Sequence, residues 1–144
     1  MFTISEIREM LSDYPESNNL LDEKEFSDNE INLAFKAAVS EYNSTPPVHI
    51  KITEPFRDEL KELLLLGTLA KMYRAKALYQ FRNQLNYTDG GGQIATHDKG
   101  AAYDGLASRY QQEFMQKVTG YKINLNYEDG YGSISSDYAN LPIR

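Results

Sequence analysis

Apolar residues recur every three or four positions along most of the chain, a spacing that is typical of amphipathic helices. This pattern predicts helices over 3–13, 28–43, 54–87 and 98–119. Residues 1–120 are therefore expected to form a mostly α helical bundle, with one long central helix and an acidic first helix.

The second helix has the clearest boundaries. Ser27 and Glu30 have the spacing of a capping box, in which each side chain accepts a hydrogen bond from the other residue's backbone. Pro46 and Pro47 end the helix, because proline lacks an N–H and disfavours helical backbone before it. Residues 48–52 then alternate between apolar and polar, which predicts a short strand or an extended link.

The long third helix is apolar on every side at its centre, over 63–70. Such a segment is buried all round, either inside the fold or between subunits, and the sequence allows both. Gly67 lies within it, where a glycine permits either a close helix crossing or a kink.

The last part of the chain, 121–144, has a different pattern. Residues 121–127 alternate with a period of two, and Asp129 and Gly130 form a strong type I′ turn signal. This predicts a β-hairpin over 121–135, followed by an extended tail over 136–144. A two-stranded hairpin is marginal in water, so we expect it to lie on its own helices, to pair with other strands, or to wait for a partner.

Charge is unevenly distributed over the chain, whose net charge is −6. Residues 1–30 carry nine acidic and two basic side chains, a net −7, whereas 71–88 carry four basic side chains and no acidic one. The asymmetry permits head-to-tail contact between copies, although an ordinary solvated surface explains it as well. An acidic chain is a poor candidate for gripping DNA, but it is compatible with DNA sliding past. The longest apolar run is four residues, so no membrane span is predicted.

The sequence predicts no catalytic, cofactor or metal site. Cysteine is absent, and His49 and His97 lie far apart without the spacing of zinc ligands. Gly90, Gly91 and Gly92 follow a helix instead of a strand, which is the wrong context for a phosphate-binding loop. A non-enzymatic protein is expected; a small enzyme with an unrecognised site is the weaker alternative.

Protein–protein contact is the remaining interpretation. The candidates are apolar residues of the long helix's centre and aromatic or aliphatic residues of the C-terminal segment: Leu65, Leu66, Leu69, Tyr121, Ile123, Leu125, Tyr127, Tyr131, Ile134 and Tyr138.

The order of these segments resembles that of the head-to-tail connector (adaptor or neck) proteins of tailed bacteriophages. The resemblance rests on FSDNEI at 26–31 opening a helix, YNSTPP at 42–47 closing it, the long helix with its centre at 63–70 and AKA at 75–77, and the glycine break at 90–92. It covers about residues 25–135 and includes the next helix and the terminal strands.

This resemblance implies a structural virion protein, located in the neck and in the host cytoplasm during assembly. Such proteins form a homo-oligomeric ring, commonly of about 12 copies, beneath the portal protein and bind a tail or neck protein on the other side. DNA passes through the channel without sequence recognition, and no cofactor is required. The alternative is a cellular helical adaptor or regulatory module that binds a partner protein.

Overall fold

The protein is described here from a computed structural model, which covers residues 4–18, 23–48, 50–52, 59–83, 88–89, 92–93 and 99–131. Within these residues the chain is mostly helical, which confirms the mostly α, helical-bundle part of the predicted fold class. The helices are α1 (Ile4–Leu11), α2 (Asp28–Ser44), α3 (Glu59–Arg82) and α4 (Lys99–Tyr131).

Two short strands lie between α3 and α4. β1 (Thr88–Asp89) pairs antiparallel with β2 (Gly92–Gln93). Gly90 therefore follows a short strand and not a helix directly, which corrects the context expected for the glycines from the sequence. Residues 54–58 and 84–87, where the sequence predicts more of the third helix, lie outside the described residues. Residues 50–52 form no strand, so there the alternating segment is a link, held by a hydrogen bond from Ile52 N to Asn43 Oδ1 of 2.8 Å.

The start of α2 follows from its local sequence. Ser27 is the N-cap residue, and its hydroxyl accepts a hydrogen bond from Glu30 N, while the Glu30 carboxylate accepts one from Ser27 N at 2.8 Å. The predicted capping box is thus present. The bond from the Ser27 backbone is also the main cause that lowers the pKa of Glu30.

α1 ends two residues earlier than its pattern predicts. Ser12 N–H donates to Glu9 O and Asp13 N–H donates to Arg8 O, the bonds of a Schellman motif. Ser12 has a φ of 52°, so the chain reverses there in the left-handed region. The turn places Asp13 beside Arg8, and a 2.7 Å ion pair joins these two buried side chains.

α3 is the central helix of the bundle, and its apolar centre is buried inside the fold, which decides between the two possibilities left by the sequence. Leu65 and Leu69 pack with Ile7 of α1 and Ile31 of α2. On another side, the core includes Leu60, Leu63, Leu64 and Leu66 of α3, Tyr42 of α2, and Phe114 and Val118 of α4.

Gly67 allows the three long helices to meet closely. A Cβ atom at this position would lie 2.8 Å from Phe114 Cε2 in α4 and 2.9 Å from Ala38 Cβ in α2. Both distances are shorter than van der Waals contact, so the crossing requires glycine. Of the two roles considered for Gly67, the close crossing is the one observed.

α4 corrects the prediction for the C-terminal segment. The helix does not end at residue 119; it continues through Gly120 to Tyr131, so a strand over 121–127 and a turn at Asp129 and Gly130 are wrong. Tertiary packing overrides the local pattern here, because Tyr121 packs on the core and Lys122 is fully buried. The return strand and the tail, 132–144, lie outside the described residues.

Candidate interaction surfaces

The candidates from the long helix lie in the core of the chain. Leu65, Leu66 and Leu69 are 4%, 8% and 8% exposed, so none of them presents its side chain to a partner. These three side chains pack against other residues of the same chain, so they stabilise the fold.

The candidates from the C-terminal segment divide between two environments on α4. Tyr121 and Leu125 are half-buried, whereas Ile123 and Tyr127 are 44% and 57% exposed. Ile123 and Tyr127 are four residues apart and therefore lie on the same face of the helix. We call them the α4 tip. The side chain of Tyr131 lies outside the described part of the chain, as do Ile134 and Tyr138.

A second exposed apolar surface lies at the other end of the bundle, and sequence reasoning did not single it out. Leu78, Tyr79 and Phe81, in the last turns of α3, are 63%, 51% and 44% exposed. The Arg82 guanidinium carbon lies 5.8 Å from the centre of the Tyr79 ring, and Lys76 Nζ lies 6.0 Å from it. These five residues form what we call the α3 patch.

The sequence did contain a signal for the α3 patch. The outward face of a helix is expected to carry polar residues. Arg74 and Arg82 lie four residues before and four residues after Leu78, so Leu78 lies on the same face as these two cations. An exposed leucine between two cations on a helix face is the pattern that could have found it.

The basic segment of α3 is partly neutralised inside the chain. Lys71 Nζ forms an ion pair with Glu41 Oε2 of α2 at 2.8 Å. The geometry of this contact is not that of a hydrogen bond, and Glu41 Oε2 has no hydrogen-bond donor among the described residues. Gln111 of α4 donates to the other oxygen of Glu41 at 2.8 Å. Arg74 pairs with Asp104 of α4 at 2.6 Å. By contrast, Lys76 lies 5.0 Å from the centre of the Phe26 ring and near enough to Glu30 to help lower the pKa of that carboxyl, and the contact described for Arg82 is with the Tyr79 ring.

Lys122 fixes the last turns of α4 to the end of α2. Its ammonium group donates to the carbonyl oxygens of Tyr42 at 2.6 Å and Thr45, and lies 3.4 Å from that of Pro47. The same nitrogen lies 4.4 Å from the centre of the Tyr42 ring. Carbonyls at a helix C-terminus lack helical partners and attract cations, so this is a tertiary C-cap. Burial lowers the pKa of Lys122.

No feature of the described residues points to catalysis. Among them there is no group of three or more histidine and carboxylate side chains placed to hold a metal ion. A shallow, open depression lies beside Arg8, Lys24 and Phe26, and it lacks a convergent set of buried polar groups. None of the helices in those ranges has the length and hydropathy needed to span a membrane.

No family model matches the chain, and neither the curated proteins nor the solved structures include one that is significantly similar to it. The surfaces of the molecule itself are therefore what indicates its function.

Proposed function

We propose that this protein is a structural subunit of a ring that connects the portal of a phage head to the tail or to a further neck protein. DNA passes through the centre of the ring. The subunit acts by assembly, and no catalytic step or cofactor is part of the role.

The observation that carries the proposal is the presence of two different exposed apolar surfaces at opposite ends of one helical body. Phe81, in the α3 patch, lies against Gly100 near the start of α4, whereas the α4 tip begins at Ile123. The intervening 23 residues of helix span roughly 35 Å. A subunit with two unlike surfaces can make heterologous contacts, which is the kind of contact that generates rings.

The packing of the bundle supports a role as a building block. α3 and α4 run antiparallel, as the pairs Glu62–Lys117 and Arg74–Asp104 require. α2 packs across them at Gly67. A close-packed body of this kind keeps its two end surfaces at a fixed separation, because protein interiors deform little.

The charge of the chain also fits the proposed role. Each copy carries a net charge of −6, so a ring of such subunits has a strongly acidic character overall. Contacts between cationic side chains and phosphates dominate protein–DNA affinity. An acidic channel wall would therefore let DNA pass without holding it.

The experiment that tests the proposal is light scattering on the purified chain, followed by negative-stain imaging of the chain co-expressed with a portal protein. We expect a ring of about 12 copies, alone or on the portal. A monomer or dimer that leaves the portal bare would overturn the proposal and favour a cellular adaptor. Tyr127→Ser should weaken ring or portal binding, and Leu33→Ser, at an exposed position of α2, is its matched control.

A further inference from the structure

We propose that the α3 patch docks on the outer face of α1 in a second copy of this chain, and that this contact joins neighbouring subunits. The inference rests on the proposed ring and adds to it the identity of the two faces that meet between copies. The α4 tip is then left for a different protein.

The first face combines apolar area with positive charge. Leu78 and Tyr79 are both more than half exposed, and Tyr79 lies between two cations, Lys76 and Arg82. Exposed aromatic side chains beside arginine are typical of protein interfaces, since they bury a large area and keep a polar or charged edge. The patch is suited to a partner that has a small apolar centre with carboxylates around it.

The outer face of α1 has that composition. Met10 is 63% exposed, and the exposed Glu6 and Glu9 lie within one turn of it on the same side of the helix. The flexible thioether of methionine packs well against an aromatic ring such as Tyr79. The carboxylates would then lie near Lys76 and Arg82, where opposite charges attract across the contact.

The two faces cannot meet within one chain. Ile7 and Arg8, on the other side of α1, are 3% and 5% exposed, and Ile7 packs against Leu69 and Met72 of α3. The face with Glu9 and Met10 therefore points away from α3. Only another molecule can bring it against the α3 patch.

Charge provides the reason why the partner is a second copy. Residues 1–30 carry a net −7 and residues 71–88 a net +4, and two of those four cations already have carboxylate partners in their own chain. Copies with a net charge of −6 repel each other unless opposite charges meet at the contact. Pairing the acidic end of one copy with the α3 patch of the next provides that attraction. One copy then still has its α3 patch available and the other its α1 face, so that further copies can be added.

The test is a charge exchange between the two faces. Arg82→Glu reverses a cation of the α3 patch, and Glu9→Arg reverses an anion of the α1 face. Each variant alone should self-associate about ten-fold or more weakly than the wild type in sedimentation at low salt. An equimolar mixture should recover association to within about three-fold, because each altered face then meets an oppositely altered one.

Lys36→Glu is the matched control, since it makes a reversal of the same sign on the exposed side of α2. It should leave self-association unchanged, and circular dichroism should show the same helix content in all variants. If the wild type is monomeric in isolation, the same variants and mixture are compared by the number of copies bound to each portal.

The outcomes separate this inference from the proposed function. Rings that form equally well with either single variant, or a mixture that remains as weak as the single variants, would overturn the contact while the ring itself stands. Recovery in the mixture with only two-copy complexes would support the contact and overturn the ring. Loss of association for Lys36→Glu as well would show that net charge, and not these two faces, controls assembly, which overturns the inference.

Discussion

Lys122 Nζ lies 2.6 Å from the carbonyl oxygen of Tyr42, and this bond joins two helices whose residues are 80 positions apart in the chain. Replacing Lys122 by Met keeps most of the side-chain volume but removes the ammonium donor from the carbonyls of Tyr42 and Thr45, so that the Tyr42 oxygen keeps only the Thr45 N–H at 3.2 Å. We expect the free energy of unfolding to fall by about 1–3 kcal/mol. Urea denaturation measures it.

The control for that variant is Lys117→Met, on the same helix. Lys117 pairs with Glu62 at 2.7 Å, but its side chain is 41% exposed. Exposed ion pairs contribute little to stability. If both variants lose the same free energy of unfolding, the hydrogen bonds from Lys122 to the C-terminal end of α2 do not contribute the stability predicted for them.

Gly67→Ala should destabilise the bundle, because the added methyl group would lie 2.8 Å from Phe114 Cε2 and 2.9 Å from Ala38 Cβ. Overpacking of this kind costs about 1–3 kcal/mol. Gly120→Ala is the matched control, since nothing lies within 4 Å of its added atom. That variant should gain about 1 kcal/mol from helix propensity alone. Thermal unfolding of both variants checks the opposite signs.

Asp13→Ala should be strongly destabilising. Arg8 and Asp13 are 5% and 3% exposed, and Asp13 also accepts hydrogen bonds from Phe26 N and Asn18 Nδ2 at 3.1 and 3.0 Å. Removing Asp13 leaves the N–H groups of Glu25 and Phe26 without this acceptor and leaves Arg8 paired with the more exposed Asp28, at a cost of about 3 kcal/mol in unfolding free energy.

Asp104→Ala provides the comparison for Asp13→Ala, because it breaks the Arg74–Asp104 pair, whose side chains are 50% and 40% exposed. We expect it to cost about 1 kcal/mol or less. If chemical denaturation gives the same loss for both variants, burial is not what makes the Arg8–Asp13 pair important.

Stability should fall at alkaline pH partly because of Tyr42. Burial raises the pKa of Tyr42 from 10.0 to about 12. The unfolded chain loses this proton first, so the contribution is fully present below pH 10.0 and is lost as the pH rises towards about 12. Tyr42→Phe cannot ionise and should show a shallower decline of unfolding free energy over this range. Parallel curves for the two proteins would contradict the predicted role of Tyr42.

Local signals predicted the parts of the fold that local physics controls. The capping box at Ser27 and Glu30 and the apolar centre of α3 follow from the spacing of residues in the chain, and both are present. The predictions failed where contacts with distant parts of the chain determine the local conformation. Nothing in the neighbourhood of Lys122 shows that the carbonyls of α2 will surround it, and the alternation over 121–127 favoured a strand.

The surfaces were harder to predict than the core. Leu65 and Leu66 were chosen because they are apolar on a long helix, but their partners are within the chain. Leu78 and Tyr79 are apolar too, and only the position of the other helices shows that their side chains remain exposed. Hydrophobicity alone cannot distinguish a core residue from an interface residue, since both kinds of site are apolar.

The continuation of α4 beyond Gly120 has a consequence for its dynamics. In that part of the helix the alternating sequence favours one conformation and the tertiary contacts impose another, a local conflict of the kind that raises the energy of the native state. The hydrogen bonds from Lys122 to the carbonyls of Tyr42 and Thr45 are what attach this part of the helix to α2. We therefore expect α4 to open from this end, with amide hydrogens beyond Gly120 exchanging with solvent well before those beside Phe114.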